Sequence, residues 1–348
     1  MTDVTGRVLV LGGSWFLGRW VVTEALHAGW SVTTFRRGLS GSDVPGAEAV
    51  RGDRTDEGDL QRLAESGSWD VVVDTSGYVP REVGRVARAL EPVAGRYVFV
   101  SSVSAYAGWP VEPLTEASTL LECPPDADGG FGFDGDPGPS VYGFTKAGSE
   151  RAVVEVFGSA RTTVLRPGVI LGPWEYVGRL PWWLQRMERG GRVLAPGAPS
   201  RSIQPVDVRD VARFSLSAPA GVFNLTGVAT TMEEFLMACA DVAAVDRAGI
   251  DLTWITDEEW LVAQGVAQWT ELPLWRTYRG AWSVSAAAAV GAGFGQRSLR
   301  ATVADTWAWM ASGEAAVGHE RTGEQGITAE KEAAVLGIWD ARERDHCG

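Results

Sequence analysis

The sequence predicts an α/β chain built on a doubly wound parallel sheet, with a smaller C-terminal substrate-binding region. Three observations predict it. Short continuous apolar runs alternate with helical patterns through the first half of the chain, a glycine turn joins the first run to the first helix, and two later apolar runs end in small polar residues, Thr75-Ser76 and Ser101-Ser102. Runs without polar alternation are strands buried on both faces, which is the signature of a parallel sheet covered by helices.

The first run, Arg7 to Leu11, ends in Gly12-Gly13, and a helical pattern follows through Trp20, Val21, Ala25 and Leu26. The turn reads Gly12-Gly13-Ser14-Trp15-Phe16-Leu17-Gly18, a Rossmann-type arrangement in which glycines let the backbone approach a pyrophosphate while helix N–H groups face it. The next strand, Ser31 to Phe35, ends in Arg36-Arg37, 24 residues after Gly12. An acidic residue there takes the ribose 2′-OH of NAD, whereas arginine accommodates the 2′-phosphate of NADP, so NADPH is favoured and NAD is the alternative. Ala49 to Arg51 is a short strand running into an Asp-rich turn, in which Asp53 and Arg54 either flank an adenine or serve as turn and cap. A helix around Leu60 to Ala64 follows. Trp69 to Asp74 is a strand ending in Thr75-Ser76-Gly77-Tyr78, Pro80 opens a helix through Leu90, and Arg96 to Val100 is a strand ending in Ser101-Ser102. Ligands of such sheets sit at the carboxyl ends of the strands, where Gly12, Arg36, Thr75 and Ser102 fall.

Residues 107–140, rich in Gly, Pro and Asp, have no periodicity and are expected to be a long loop, either a lid or a disordered insert. The helix after it opens Ser140-Val141-Tyr142-Gly143-Phe144-Thr145-Lys146. Four residues on a helix is one face, so the phenol and the ammonium point into the same space, and the positive charge favours the phenolate. The chain writes arginine wherever bulk charge suffices: of 31 Lys and Arg only Lys146 and Lys331 are lysine. Thr162 to Leu171 is the next strand, Gly221 to Thr226 returns to the sheet, Thr231 to Glu234 is a capping box, Asp251 to Ile255 is a strand, and helices follow over Ser298 to Met310 and Ala329 to Trp339.

From Trp174 the composition changes, with 11 of the 16 tryptophans at or beyond it. The sequence divides into a dinucleotide-binding domain over 1–173, to which 202–227 returns, and a substrate-binding region over 174–201 and 228–348. The tryptophans either line an aromatic cleft or pack a small core. Tyr106, Trp174, Trp182 and Arg201 are the candidate substrate contacts.

A net charge of −13 argues against a nucleic-acid surface and an anionic membrane partner. Cys123, Cys239 and Cys347 and the scattered His27, His319 and His346 have no metal-ligand spacing, so no metal is expected. The N-terminal run lacks a basic region before it, and no stretch reaches the length of a membrane span. The expectation is a cytoplasmic monomer or homodimer acting on a small molecule.

Gly12 to Gly18, Ser102, Tyr142 and Lys146, with Leu165-Arg166-Pro167, Gly172-Pro173 and Arg201 to Asp210, together resemble the extended branch of the short-chain dehydrogenase/reductase superfamily. The GGSWFLGRWVV opening and the ELPLW segment are similar to bacterial NAD-dependent epimerase/reductase proteins, some of whose wider group reduce ketones of aromatic polyketides in antibiotic biosynthesis. The resemblance implies that Ser102 hydrogen-bonds a substrate carbonyl, Tyr142 gives it a proton, and Lys146 holds the nicotinamide ribose and depresses the tyrosine pKa. Three features depart from the branch. Trp15 replaces the middle glycine of the turn, Ser102 and Tyr142 stand 40 positions apart, and the diphosphate-binding asparagine of sugar-nucleotide enzymes is replaced near the apolar Val169-Ile170. The expected function is therefore NADPH-dependent reduction of a ketone on a bulky aromatic natural product. The alternative is an NAD-dependent nucleotide-sugar epimerase or dehydratase with Arg192 and Arg201 on the diphosphate. An alternative of another class is a non-catalytic dinucleotide-binding or RNA-associated protein.

Overall fold

The computed structural model describes residues 6–314, 316, 318 and 323–347; His319 and the side chains of His346 and Cys347 lie outside them. In chain order the first half holds β1 (Arg7–Leu11), α1 (Phe16–His27), β2 (Ser31–Arg36), β3 (Glu48–Arg51), α2 (Glu57–Glu65), β4 (Trp69–Asp74), α3 (Pro80–Leu90), β5 (Ala94–Val100), α4 (Val141–Phe157) and β6 (Thr162–Pro167). Next come β7 (Ile170–Leu171), α5 (Arg179–Glu188), β8 (Gly191–Pro196), β9 (Ser202–Ile203), β10 (Val206–Asp207), α6 (Val208–Ser217) and β11 (Gly221–Leu225). The chain continues through β12 (Thr230–Thr231), α7 (Met232–Ala243), β13 (Ile250–Ile255), α8 (Glu258–Ala263), α9 (Ala287–Gly291), α10 (Leu299–Ala311) and α11 (Ala329–Cys347).

The chain divides into two compact units. The first comprises Met1–Ile170, Gln204–Gly227 and Arg279–Arg297; the second comprises Leu171–Ile203, Val228–Tyr278 and Ser298–Gly348. The sequence reading assigned all of 228–348 to the second region, and Arg279–Arg297 corrects it. Val284 packs with Val103, Tyr106 and Leu114, and Ala289 and Phe294 join the main core of the first unit.

The first unit is a Rossmann-like sheet of seven parallel strands in the order β11-β6-β5-β4-β1-β2-β3. Strand order reverses between β1 and β4, which opens a crevice at their carboxyl ends. The uninterrupted apolar run of β1 follows from its central place. Val8 and Val10 face one core with Val21, Val22 and Ala25 of α1, while Leu9 and Leu11 face the other with Leu60, Leu63, Val83 and Leu90. The strand expected over Thr162 to Leu171 breaks into β6 and β7. Pro167 ends β6, having no N–H for the ladder, and Gly168 N donates instead to the Leu225 carbonyl at 2.9 Å.

Residues 107–140 carry no helix or strand; the part up to Ala127 is packed rather than loose, whereas 128–137 is exposed. Leu121, Cys123 and Ala127 pack on Phe144 and Ala147 of α4, and Leu114 joins Val103, Tyr106 and Val284. In the second unit β8 and β13 pair in parallel, and α7 begins with the expected capping box between Thr231 and Glu234. The last helix runs eight residues beyond the expected Trp339, to Cys347.

Candidate active site

The glycine turn at the end of β1 is shaped by contacts that no side chain could survive. Gly12 stands at φ 107° with its missing Cβ 2.9 Å from Thr75 Oγ1, and a Cβ on Gly18 would come within 2.8 Å of both Gly13 N and Thr75 Oγ1. Thr75 ties the turn to β1 by donating to the Leu11 carbonyl at 3.0 Å. Gly13, Ser14 and Gly18 are buried, while Trp15, Phe16 and Leu17 are half-buried at the start of α1. Trp15 is the N-cap in extended conformation and gives no side-chain acceptor to the first turn of α1, and Phe16 stands at a strained φ of 22°. These features fit a dinucleotide: the backbone is bare at the sheet crevice, and no side-chain oxygen caps the helix start that a phosphate would face.

The basic pair after β2 does not stand as the sequence suggested. Arg36 is nearly buried and closed on Asp43, donating from Nε to Oδ1 at 2.9 Å and forming an ion pair through Nη2. Arg37 is exposed, with Nη1 4.0 Å from Asp53. Asp53 accepts from the N–H and hydroxyl of Thr55 at 2.9 and 2.8 Å, so it forms the turn. Of the two open readings for Arg54, neither describes its main contact: it donates to both carboxylate oxygens of the buried Asp74 and to Ser76 Oγ. Tyr97 Oη also donates to Asp74, at 2.8 Å. Burial works against the Asp74 charge, but Arg54 holds its carboxyl below the ordinary value.

Ser102, Tyr142 and Lys146 lie on adjoining elements. Ser140 caps α4 by accepting from Gly143 N at 3.1 Å, and a Cβ on Gly143 would run into the Ser104 carbonyl at 2.2 Å. Only glycine lets α4 press this closely on the turn that Ser102 begins. Ser102 Oγ accepts from Ser104 N at 3.1 Å, which leaves its own O–H to donate. Tyr142 is 43% exposed, whereas Lys146 is 2% exposed. Lys146 Nζ donates to the carbonyls of Gly77 and Val100 at 2.8 and 2.6 Å and lies 4.6, 5.2 and 6.0 Å from the ring centroids of Phe99, Tyr78 and Tyr142. Burial lowers its pKa to about 8, Arg54 adds to the shift, and Asp74 and Glu150 oppose it. The ammonium is therefore desolvated, beside an accessible phenol, and contacted by neutral oxygens.

Tyr106 is not a substrate contact in this structure. It is fully buried, donates to Asn224 Oδ1 at 2.7 Å and accepts from Arg166 Nη1 at 2.8 Å. Arg166 is clasped by Glu150 at 2.9 and 2.5 Å, and Ser101 donates to the same carboxylate. This network fixes α4 to β5, β6 and β11 beneath the site. In the second unit Trp174 lies 5.7 Å from Trp309 between ring centroids, and Trp182 lies 4.7 Å from Trp183. Trp183 and Trp275 are fully buried, their indoles donating to the Pro273 carbonyl and to Glu258 at 2.8 and 2.7 Å, so these two are core tryptophans. Arg201 is ion-paired to Glu258, and Arg192 holds Asp340 through two bonds of 2.6 Å. Both candidate diphosphate arginines already have carboxylate partners.

Sequence reasoning missed Tyr78, Asp74 and Glu150. Tyr78 is 52% exposed with its ring centroid 6.4 Å from that of Tyr142. Its place directly after a strand-end Thr-Ser-Gly was a usable signal. The carbonyls of Gly77 and Val100 have no signal in residue type. Among the described residues no group of His, Cys, Asp and Glu could hold a metal ion, and no helix is long and apolar enough to cross a membrane.

A family model for the NAD dependent epimerase/dehydratase family matches residues 8–221. Among solved structures, the chain is similar to WbmG of Bordetella bronchiseptica in complex with NAD, with 17% identity, a TM-score of 0.64, and 94% of this chain and 99% of that one covered. It is also similar to UDP-glucose 4-epimerase of Thermotoga maritima, with 18% identity, a TM-score of 0.65, and 88% and 99% covered. The chloroplast stem-loop binding protein of 41 kDa b of Arabidopsis thaliana is 26% identical over 255 residues, which is 67% of this chain and 62% of that relative. The chain thus spans less than two thirds of the length of this curated relative.

Proposed function

Since the chain belongs to the NAD dependent epimerase/dehydratase family, we propose that it is a dinucleotide-dependent enzyme of the epimerase or dehydratase type, acting at a secondary alcohol or the corresponding ketone. The observation that carries this reading is Lys146: a buried ammonium held by two backbone carbonyls, below the rings of Tyr78 and Tyr142, at the carboxyl edge of a parallel sheet. An architectural lysine at that depth would have a carboxylate partner.

The turn of Gly12, Gly13 and Gly18, backed by Thr75, would hold the dinucleotide. Bound there, a nicotinamide group supplies hydride-transfer chemistry. Tyr142 Oη exchanges a proton with the substrate oxygen, and Ser102 Oγ donates a hydrogen bond to that oxygen. Lys146 favours the phenolate by its charge and has a third N–H beyond the two given to carbonyls, which serves a ribose hydroxyl or a proton relay.

NAD is favoured over the NADPH that the sequence suggested, because Arg36 is already paired with Asp43 and the structural relative WbmG was solved with NAD. A second reading, reduction of a bulky aromatic ketone, draws support from the exposed rings of Tyr78, Tyr142, Phe131 and Phe133 around the start of α4. A nucleotide-sugar substrate draws support from the likeness to UDP-glucose 4-epimerase and is opposed by the paired Arg192 and Arg201. The RNA-associated alternative, to which the stem-loop binding name of the chloroplast relative lends support, is opposed by the net charge of −13.

The test begins with purified protein: released dinucleotide is identified after denaturation, and NAD and NADP binding is measured calorimetrically for wild type and Gly18→Val. Binding that Gly18→Val abolishes supports the reading. Wild-type protein that binds neither dinucleotide overturns it. Nucleotide sugars and aromatic ketones are then screened with Tyr142→Phe as the control.

A further inference from the structure

The loop after β2 carries a device that bears on which dinucleotide the site accepts, an inference that rests on the dinucleotide-binding reading above. Arg36 of β2 and Arg51 of β3 are register partners on adjacent parallel strands. Both guanidiniums turn onto one carboxylate, Asp43, from the loop that joins the two strands. Arg36 reaches it through Nε and Nη2, and Arg51 through Nη1 at 3.2 Å and Nη2 at 2.5 Å. The remaining terminal nitrogen of Arg36, Nη1, donates to the carbonyls of Ser40 and Gly41 at 3.2 and 3.3 Å. Every nitrogen of the Arg36 fork is therefore occupied.

The position of this clasp decides its meaning. Gly12 N donates to the Phe35 carbonyl at 3.0 Å, so the glycine turn is bonded to the residue just before Arg36. Ser14 Oγ of the turn lies 3.4 Å from Ser40 Oγ of the Asp43 loop. An arginine at the end of the second strand is the residue type that takes the ribose 2′-phosphate of NADP, through donors matched to phosphate oxygens. Here Arg36 Nε and Nη2 both hold Asp43 Oδ1, and Arg51 Nη2 holds Oδ2. The hydrogen bonds from Arg51 and Arg36 keep that carboxyl below its ordinary pKa, which favours the carboxylate. A 2′-phosphate arriving at this edge meets the Asp43 carboxylate seated between two arginines, on the donors it would need.

We propose that Asp43 selects the cofactor: it occupies Arg36 and Arg51 as an internal substitute for the 2′-phosphate and restricts the site to the dinucleotide without one. Arg37, exposed and opposite Asp53, lies outside the clasp.

The experiment is a fluorescence titration with NADH and with NADPH on wild type, Asp43→Asn, Asp43→Ala, and Asp43→Asn combined with Arg36→Ala and Arg51→Ala, with 2′,5′-ADP as a competitor. Wild type is expected to bind NADH about tenfold or more tighter than NADPH. Asp43→Asn, which keeps the side-chain shape, is expected to tighten NADPH and 2′,5′-ADP by about tenfold while moving NADH by less than about threefold. That gain disappears when the two arginines are also removed, and it shrinks as salt is raised. A wild type that prefers NADPH overturns the proposal whatever the variants do, and so does an unchanged NADH to NADPH ratio in a folded Asp43→Asn or Asp43→Ala. Wild type that binds neither dinucleotide overturns the underlying reading as well, and the NADH titration separates that result from the others.

Discussion

Lys146 and Arg36 stand at the carboxyl edge of the same sheet and are held in opposite ways. Lys146 gives its ammonium to the carbonyls of Gly77 and Val100, which are neutral. Arg36 gives its guanidinium to Asp43, a carboxylate that it shares with Arg51. Two more arginines of the first unit follow Arg36, Arg54 holding Asp74 and Arg166 holding Glu150, whereas the half-buried Arg96 donates to the carbonyls of Leu216 and Ala218. Lys331, the second lysine, also takes a carboxylate, Glu271, at 2.6 Å. A cation closed on a carboxylate organises the fold and has little field left for a ligand, whereas one held by dipoles keeps its charge for whatever approaches. The difference separates the cations closed on carboxylates from Lys146, whose partners are dipoles and aromatic rings at the candidate site.

The largest expected effect tests the architectural side. Arg166→Met leaves Glu150 charged and buried and strips Tyr106 of its donor, so it is expected to cost about 3–5 kcal/mol of stability. Urea denaturation with an unchanged m value measures it. A loss below about 1 kcal/mol would break the comparison, because the network would then not be holding α4.

On the chemical side, Tyr142→Phe removes one exposed hydroxyl and is expected to leave the melting temperature nearly unchanged while lowering turnover about 100-fold or more. Turnover within about threefold of wild type would remove Tyr142 as the proton carrier and leave solvent or the substrate in that role.

The charge on Lys146 sets a smaller, graded effect. Its folded pKa of about 8 lies below the ordinary lysine value because burial penalises the ammonium. The unfolded chain therefore binds more protons between about pH 8 and 10.4, and stability contributed by this group rises with pH across that window. Activity moves the other way, falling by about half near pH 8 as the ammonium is lost. The stability rise is expected to vanish in Lys146→Met; its persistence there would assign it to another group.

Much of this division could be read from the sequence, and the unread part has a physical reason. The seven-strand sheet follows from apolar runs such as Arg7–Leu11 and Trp69–Asp74, whose periodicity is local. Lys146 was legible because lysine is rare here and stands four residues from Tyr142 on a helix. What Tyr106 and Arg201 do was not legible, because their partners come from far along the chain, and the Asp43 partner of Arg36, though 7 residues away, sits in a loop whose course no periodicity gives. Asn224 lies 118 residues from Tyr106 and Glu258 lies 57 from Arg201. Residue type announces a charge, but only the fold says whether a carboxylate already meets it. The carbonyls that hold Lys146 are invisible in principle, since every residue has one.

The smallest expected effect sharpens the comparison in the second unit. Arg192 and Asp340 form a two-bond ion pair with both side chains about one-third exposed, at 36% and 37%. Water screens such a pair, so Arg192→Ala is expected to cost no more than about 1 kcal/mol, and the difference from wild type should shrink in high salt. Its chemical consequence is more informative than its energy. An arginine committed to Asp340 contributes nothing to a diphosphate, so Arg192→Ala should leave the KM of the identified substrate within about twofold of wild type. A KM raised about tenfold or more, at unchanged kcat, would show that Arg192 leaves Asp340 for the substrate. That outcome would place one arginine on the same side of the comparison as Lys146 and restore the nucleotide-sugar reading.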